Sequence, residues 1–147
     1  MRNFLFLVFF ITSFNVSSEE TISRWMSDYF KRIHGHIADE NYDKALDELE
    51  LGVTNYFRNG RTYEAALCYQ LYGQYYAVQS QYTEAVPWFE KALATDKMPR
   101  IGMQEVRFQL AQTYFMIGNY KNVIALLEEC IRVGERDKFP VSARINL

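Results

Sequence analysis

The residue types able to do chemistry are few in this chain, and their spacing does not bring them together. His34 and His36 are its two histidines. Two residues apart on a helix, they point to different faces, whereas a shared metal would want a spacing of three or four. Cys68 and Cys130 are its two cysteines, with no C-x-x-C and no metal-ligand spacing around either. The paired acids Asp47-Glu48 and Glu128-Glu129 are chain neighbours on expected solvated helix faces. No H-E-x-x-H, glycine-rich phosphate loop or local motif of a Ser-His-Asp constellation occurs. The sequence therefore nominates no catalytic residue, no metal site and no cofactor, and what it leaves to work with is surface. An interaction protein is the expectation; the competing class is a helical accessory subunit or enzyme of the cell envelope, acting on cell-wall material through residues of no familiar pattern.

The 147 residues suffice for one compact domain with a core. Acidic and basic side chains are interspersed at a formal net charge of -2, and no basic block invites nucleic acid. Most of the abundant Tyr and Phe falls inside helical patterns, where the expected role is core and groove filling instead of base stacking.

Residues 1–18 differ from the rest. Arg2 precedes the apolar run Phe4 to Ile11, and Val16-Ser17-Ser18 offers small residues at a cleavage site before Glu19. This is a secretory signal pattern; the run is short for a membrane-spanning helix of about 20 residues, and an uncleaved anchor is the alternative to cleavage. The expected product is periplasmic or secreted, without an integral span. Losing Arg2 leaves 15 basic against 18 acidic residues, a formal charge of 15 − 18 = −3. In an oxidising compartment the cysteines are expected to stay free and partly buried, because Cys68 and Cys130 belong to non-adjacent helices.

Three stretches show helical hairpins. From Thr62 to Gln79, Ala65, Ala66, Tyr69, Tyr72, Tyr76 and Ala77 recur at three and four residues around Gly73. A glycine inside a helix costs about 0.8–1.0 kcal/mol against alanine, so Gly73 implies close approach by a neighbouring helix. After Gln79 to Gln81, Ala85, Phe89 and Ala92 line a second helix; Pro87 falls about one turn into it and predicts a bend or a late start. The earlier hairpin carries Ile22, Trp25, Met26, Tyr29, Ile33 and Ile37, a break at Asp39-Glu40-Asn41, then Ala45, Leu49 and Gly52 in the places of Ala85, Phe89 and Ala92. The later one carries Val106, Leu110, Ala111, Tyr114 and Phe115, a turn at Gly118-Asn119-Tyr120, then Val123, Leu126, Leu127, Cys130 and Ile131. Expected bounds are about 20–58, 62–95 and 100–134, within one domain over residues 19–147. Lys138-Phe139-Pro140 resembles the inter-hairpin segment at Pro99, and residues 140–147 read as a partial fourth helix.

Gly73, Tyr76, Ala85, Phe89 and Ala92, with Tyr69 in the usual place of tryptophan, resemble a tetratricopeptide repeat. Ala45 to Ala85 is 40 residues and Ala85 to Val123 is 38, against about 34 in that family. The resemblance implies an all-α fold, a right-handed superhelical stack of antiparallel hairpins. Met98-Pro99, Val106 to Tyr114 and Tyr120 to Glu129 further resemble exported tetratricopeptide proteins of Gram-negative bacteria, some encoded beside the energy-transducing system that serves outer-membrane receptors.

In that family the first helices line a concave groove that binds a protein or peptide. Its groove offsets fall here on Phe30, His34 and Ile37, on Gln70 and Gln74, and on Phe108, Gln112 and Phe115. Amides would pair with a partner's backbone and aromatics would fill pockets; the phenylalanines serve equally well as packing between hairpins. Phe30, Gln70 and Phe108 stand where a carboxylate clamp would carry Lys, Arg or Asn, so an acidic chaperone tail is not the expected partner.

Overall fold

A computed structural model describes residues 24–58 and 62–136. The expected leader, the connection at 59–61 and the partial fourth helix at 140–147 lie outside the described residues. Within them the chain forms α1 (Arg24–Ala38), α2 (Tyr42–Arg58), α3 (Thr62–Val78), α4 (Tyr82–Ala94), α5 (Arg100–Met116) and α6 (Tyr120–Arg136), with no strand among them. Each helix packs most closely on its neighbours in sequence, so the array is a run of sequential hairpins.

The three turns inside the hairpins are built alike. Each first helix ends in a residue of left-handed conformation: Glu40 (φ 56°), Ser80 (φ 61°) and Gly118 (φ 77°). Their N–H groups donate to the carbonyls of Ile37, Ala77 and Phe115 at 3.1, 3.0 and 3.0 Å. The following N–H groups, of Asn41, Gln81 and Asn119, donate to His36, Tyr76 and Tyr114 at 2.8, 3.0 and 2.8 Å. This double bond pattern is the Schellman motif, which satisfies carbonyls that a helix end would otherwise leave open. Asn41, Gln81 and Asn119 then accept from Ala45, Ala85 and Val123, which starts the next helix one residue later. The repeat is thus present in the backbone as well as in the side-chain pattern.

Two hydrophobic clusters hold the stack. The first joins Met26, Tyr29, Phe30, Ile33 and Ile37 of α1 and Ala45 and Leu49 of α2 to Cys68, Leu71, Tyr72, Tyr75 and Val78 of α3. The second joins Ala66 and Ala77 of α3 and Ala85, Phe89 and Ala92 of α4 to Met98 and to Val106, Leu110 and Tyr114 of α5. Leu67, Tyr69 and Tyr76 touch both. Helix α3 is therefore buried on two sides. Its near-continuous apolar sequence is what an enclosed helix requires.

Small residues sit where helices meet. A Cβ on Gly73 would fall 2.6, 2.7 and 2.8 Å from three atoms of the fully buried Phe89 ring, so α3 and α4 approach closely because residue 73 has no side chain. In the first hairpin Gly52 replaces the alanine of α4, and the space holds Tyr29, whose hydroxyl an added Cβ would run into. That hydroxyl donates to the Glu48 carbonyl at 2.8 Å. The first hairpin departs from the pattern at Gly52 because a tyrosine comes in from α1.

Pro87 does not delay its helix: α4 begins at Tyr82 and runs through it. Proline lacks only the N–H that would reach back to Thr83, and Pro87 is exposed, so solvent can satisfy the freed carbonyl. After α4, Thr95 Oγ1 donates to the Ala92 carbonyl at 2.8 Å, Asp96 takes a φ of 50°, Met98 turns into the second cluster and Pro99 caps α5.

Candidate functional site

The expected groove residues do not form one open surface. Phe30 and Ile37 are buried in the first cluster, among Met26, Tyr29 and Ile33. This corrects their assignment to a ligand-facing groove: α2 and α3 close over α1, and the two side chains are core. His34, between them on the helix, is half-buried. Burial alone lowers its pKa to about 4, so its imidazole is neutral at neutral pH and brings no cation to the site.

Gln70 and Gln74 are also enclosed, at 9% and 5% exposure, because α3 has neighbours on both sides. Gln70 Nε2 donates to Gln109 Oε1 at 3.1 Å, which ties α3 to α5. The amide expected to meet a partner's backbone instead holds two hairpins together. A buried amide left unpaired would cost about 1–3 kcal/mol, so this bond helps set the spacing between hairpins.

The third hairpin is different. Phe108, Gln112 and Phe115 follow one another at four and three residues on a single face of α5, away from the buried Val106, Leu110 and Tyr114. Phe108 and Gln112 are half-buried, and Phe115 is 59% exposed. The Phe115 ring meets Tyr120 edge to face at 5.7 Å, which fixes it over the turn into α6. Of the eight expected residues the structure brings these three together as accessible surface, with His34 partly open elsewhere.

Other groups that could act chemically are engaged in structure. Both thiols are free and buried. Burial pushes the Cys68 thiol up to about 12, which leaves it protonated and unreactive. Tyr114 donates from its hydroxyl to Glu90 Oε1 at 2.6 Å, joining α5 to α4, and burial together with that carboxylate pushes it up to about 12. Trp88 offers no stacking platform, because Tyr72 covers it at 4.2 Å and the Lys91 ammonium stands 4.1 Å from its centroid. Among the described residues no group of three or more His, Cys, Asp or Glu side chains is placed to hold a metal, and no helix is long and apolar enough to cross a membrane.

One surface escaped the sequence reading. Tyr120, Ile124 and Ile131 on α6 are 59%, 58% and 45% exposed, although α6 also supplies Cys130 and Val133 to the interior. The signal was there: Tyr120, Ile124, Leu127 and Ile131 repeat the spacing of Tyr82, Val86, Phe89 and Leu93. Compared with known proteins, residues 66–97 match the tetratricopeptide repeat family. No curated protein and no solved structure matches the chain. The matched span holds most of α3, all of α4 and the turn after it, the hairpin in which Phe89 packs on Gly73, and the chain carries there a tetratricopeptide repeat.

Proposed function

We propose that this chain is a non-catalytic protein-interaction scaffold that takes an apolar segment of a partner protein along α5. The observation that carries this reading is the shared face of Phe108, Gln112 and Phe115. Equivalent positions in the first two hairpins are largely core, while here two aromatic rings flank an amide with access to solvent. Rings of this kind give large contact areas at small entropic cost, and an amide can pair with a partner's main chain. The repeat at residues 66–97 supports a protein partner, since such repeats serve protein–protein interaction. The stripe itself carries no charged side chain, so we expect binding to depend little on ionic strength.

The working place we propose is the cell envelope or the exterior, reached by cleavage near Ser18. Support comes from the sequence pattern of Arg2, Phe4 to Ile11 and Val16 to Ser18. A part in envelope transport is the further extension of the reading, and it rests on the resemblance of the third hairpin to exported relatives.

Capture by crosslinking in cells, followed by pull-down with Phe108→Ala/Phe115→Ala, tests the site. The expected result is loss of the captured partner with helical content and melting temperature retained. A double variant that folds and still holds its partner overturns the assignment, and one that unfolds shows the rings to be core.

A further inference from the structure

Helix α6 has two apolar faces with different fates. Its inward contacts are made by Val123, Leu126, Cys130 and Val133. A second set, Tyr120, Ile124, Leu127 and Ile131, recurs at four, three and four residues and so lies along one side of the helix. Tyr120, Ile124 and Ile131 are exposed and Leu127 is half-buried. On α2 and α4 the residues of the same spacing are covered by an adjoining helix. Tyr42 of α2 meets Tyr75 of α3 at 6.1 Å, and Tyr82, Val86 and Leu93 of α4 pack in the cluster that holds Val106 and Leu110 of α5. The α6 stripe thus has the chemistry of a helix-packing seam.

That stripe is complementary to itself. Spacings of four, three and four read the same from either end, so a second α6 laid antiparallel across it sets Tyr120 against Ile131 and Ile124 against Leu127, each contact made twice. The charges beside the stripe obey the same symmetry. Lys121 and Glu128 each stand one residue after a stripe position, on one flank, and both are exposed. They are seven positions apart in their own helix, about 10.5 Å of rise, too far to pair with each other. Between antiparallel copies, Lys121 of one faces Glu128 of the other, and the two-fold axis repeats the contact. A parallel pair would turn that flank toward Val123 and Cys130, which offer no charge.

We infer that the outer stripe of α6 is a homodimer interface, in which the α6 helices of two copies pack antiparallel about a two-fold axis between Ile124 and Leu127, with reciprocal ion pairs of Lys121 and Glu128. With four stripe residues a side, against about 20–30 in a standard interface, the dimer dissociates in the micromolar range. The seam uses neither Phe108 nor Gln112 and is independent of partner binding on α5.

Sedimentation equilibrium of the purified protein, over about 1 to 200 μM, tests it. Lys121→Glu and Glu128→Lys each set like charges in opposition and should weaken the dimer at least about tenfold; the double variant restores opposite pairs and should return to within about threefold of the unaltered protein. Ile124→Glu should give a monomer at every concentration with helical content retained. The charge variants sit at exposed positions, so they keep the test valid if Ile124→Glu fails to fold. A protein that stays monomeric across the range overturns the inference, because the stripe then has some other occupant or none. So does a dimer that Ile124→Glu leaves intact, or one that the double charge variant does not restore.

Discussion

Gly73→Ala and Gly35→Ala make the same chemical change in two helices and should have opposite effects. In an unhindered helix, alanine for glycine gains about 0.8–1.0 kcal/mol. Gly35 is exposed and a Cβ there meets nothing within 4 Å, so Gly35→Ala should stabilise by up to about 1 kcal/mol. At Gly73 the added carbon would lie within 2.6–2.8 Å of three atoms of the Phe89 ring. That ring is fully buried between α3, α4 and α5 and has no solvent side to move toward. Overpacking of this kind costs about 1–3 kcal/mol, which offsets the propensity gain and leaves Gly73→Ala destabilised by up to about 2 kcal/mol. The third hairpin suggests the remedy, since Ala111 and Leu127 stand at the repeat positions of Gly73 and Phe89. Adding Phe89→Leu to Gly73→Ala should therefore recover stability relative to the sum of the single changes, with a coupling of about 1 kcal/mol. Urea unfolding followed by circular dichroism measures the three single variants and the double variant against the unaltered protein. If Gly73→Ala stabilises as Gly35→Ala does, or if the double variant is additive, the close approach proposed for α3 and α4 is wrong.

Two further outcomes follow from the turns and from His34. Ser80→Gly and Glu40→Gly should each raise stability by about 0.5–1 kcal/mol in thermal melts, because a left-handed conformation costs an L-residue about 1–2 kcal/mol and glycine only its extra chain entropy; Gly118→Ala, at φ 77°, should lower it by a similar amount. His34 has its folded pKa lowered by burial from 6.5 to about 4, so over that window the unfolded chain binds the extra proton. Stability should be fully present above pH 6.5 and fall as pH drops toward 4, and His34→Gln should flatten that part of a urea-midpoint profile.

The array was legible in the sequence because its signals are local. Apolar spacing of three and four marks the helices, Asn41, Gln81 and Asn119 mark where second helices begin, and Gly73 announces a contact that only a missing side chain allows. Recurrence at 40 and 38 residues then distinguished a repeat from an unrelated bundle. The stripe Tyr120, Ile124, Leu127 and Ile131 could have been read the same way, by superposing the three second helices.

What the sequence determined by itself was the hairpins, their register and the small residues at their crossings, since each depends on residues a few positions apart. Only the tertiary structure decided which groove offsets are open. Phe30, Gln70 and Phe108 occupy one repeat position, yet the first is core, the second bonds Gln109 across to α5, and the third stays half-buried on an accessible face. The same offset has three fates because burial is set by how many helices stand beside the one that carries it. Among the described residues helix α3 has neighbours on both sides, and α5 keeps one face clear of them.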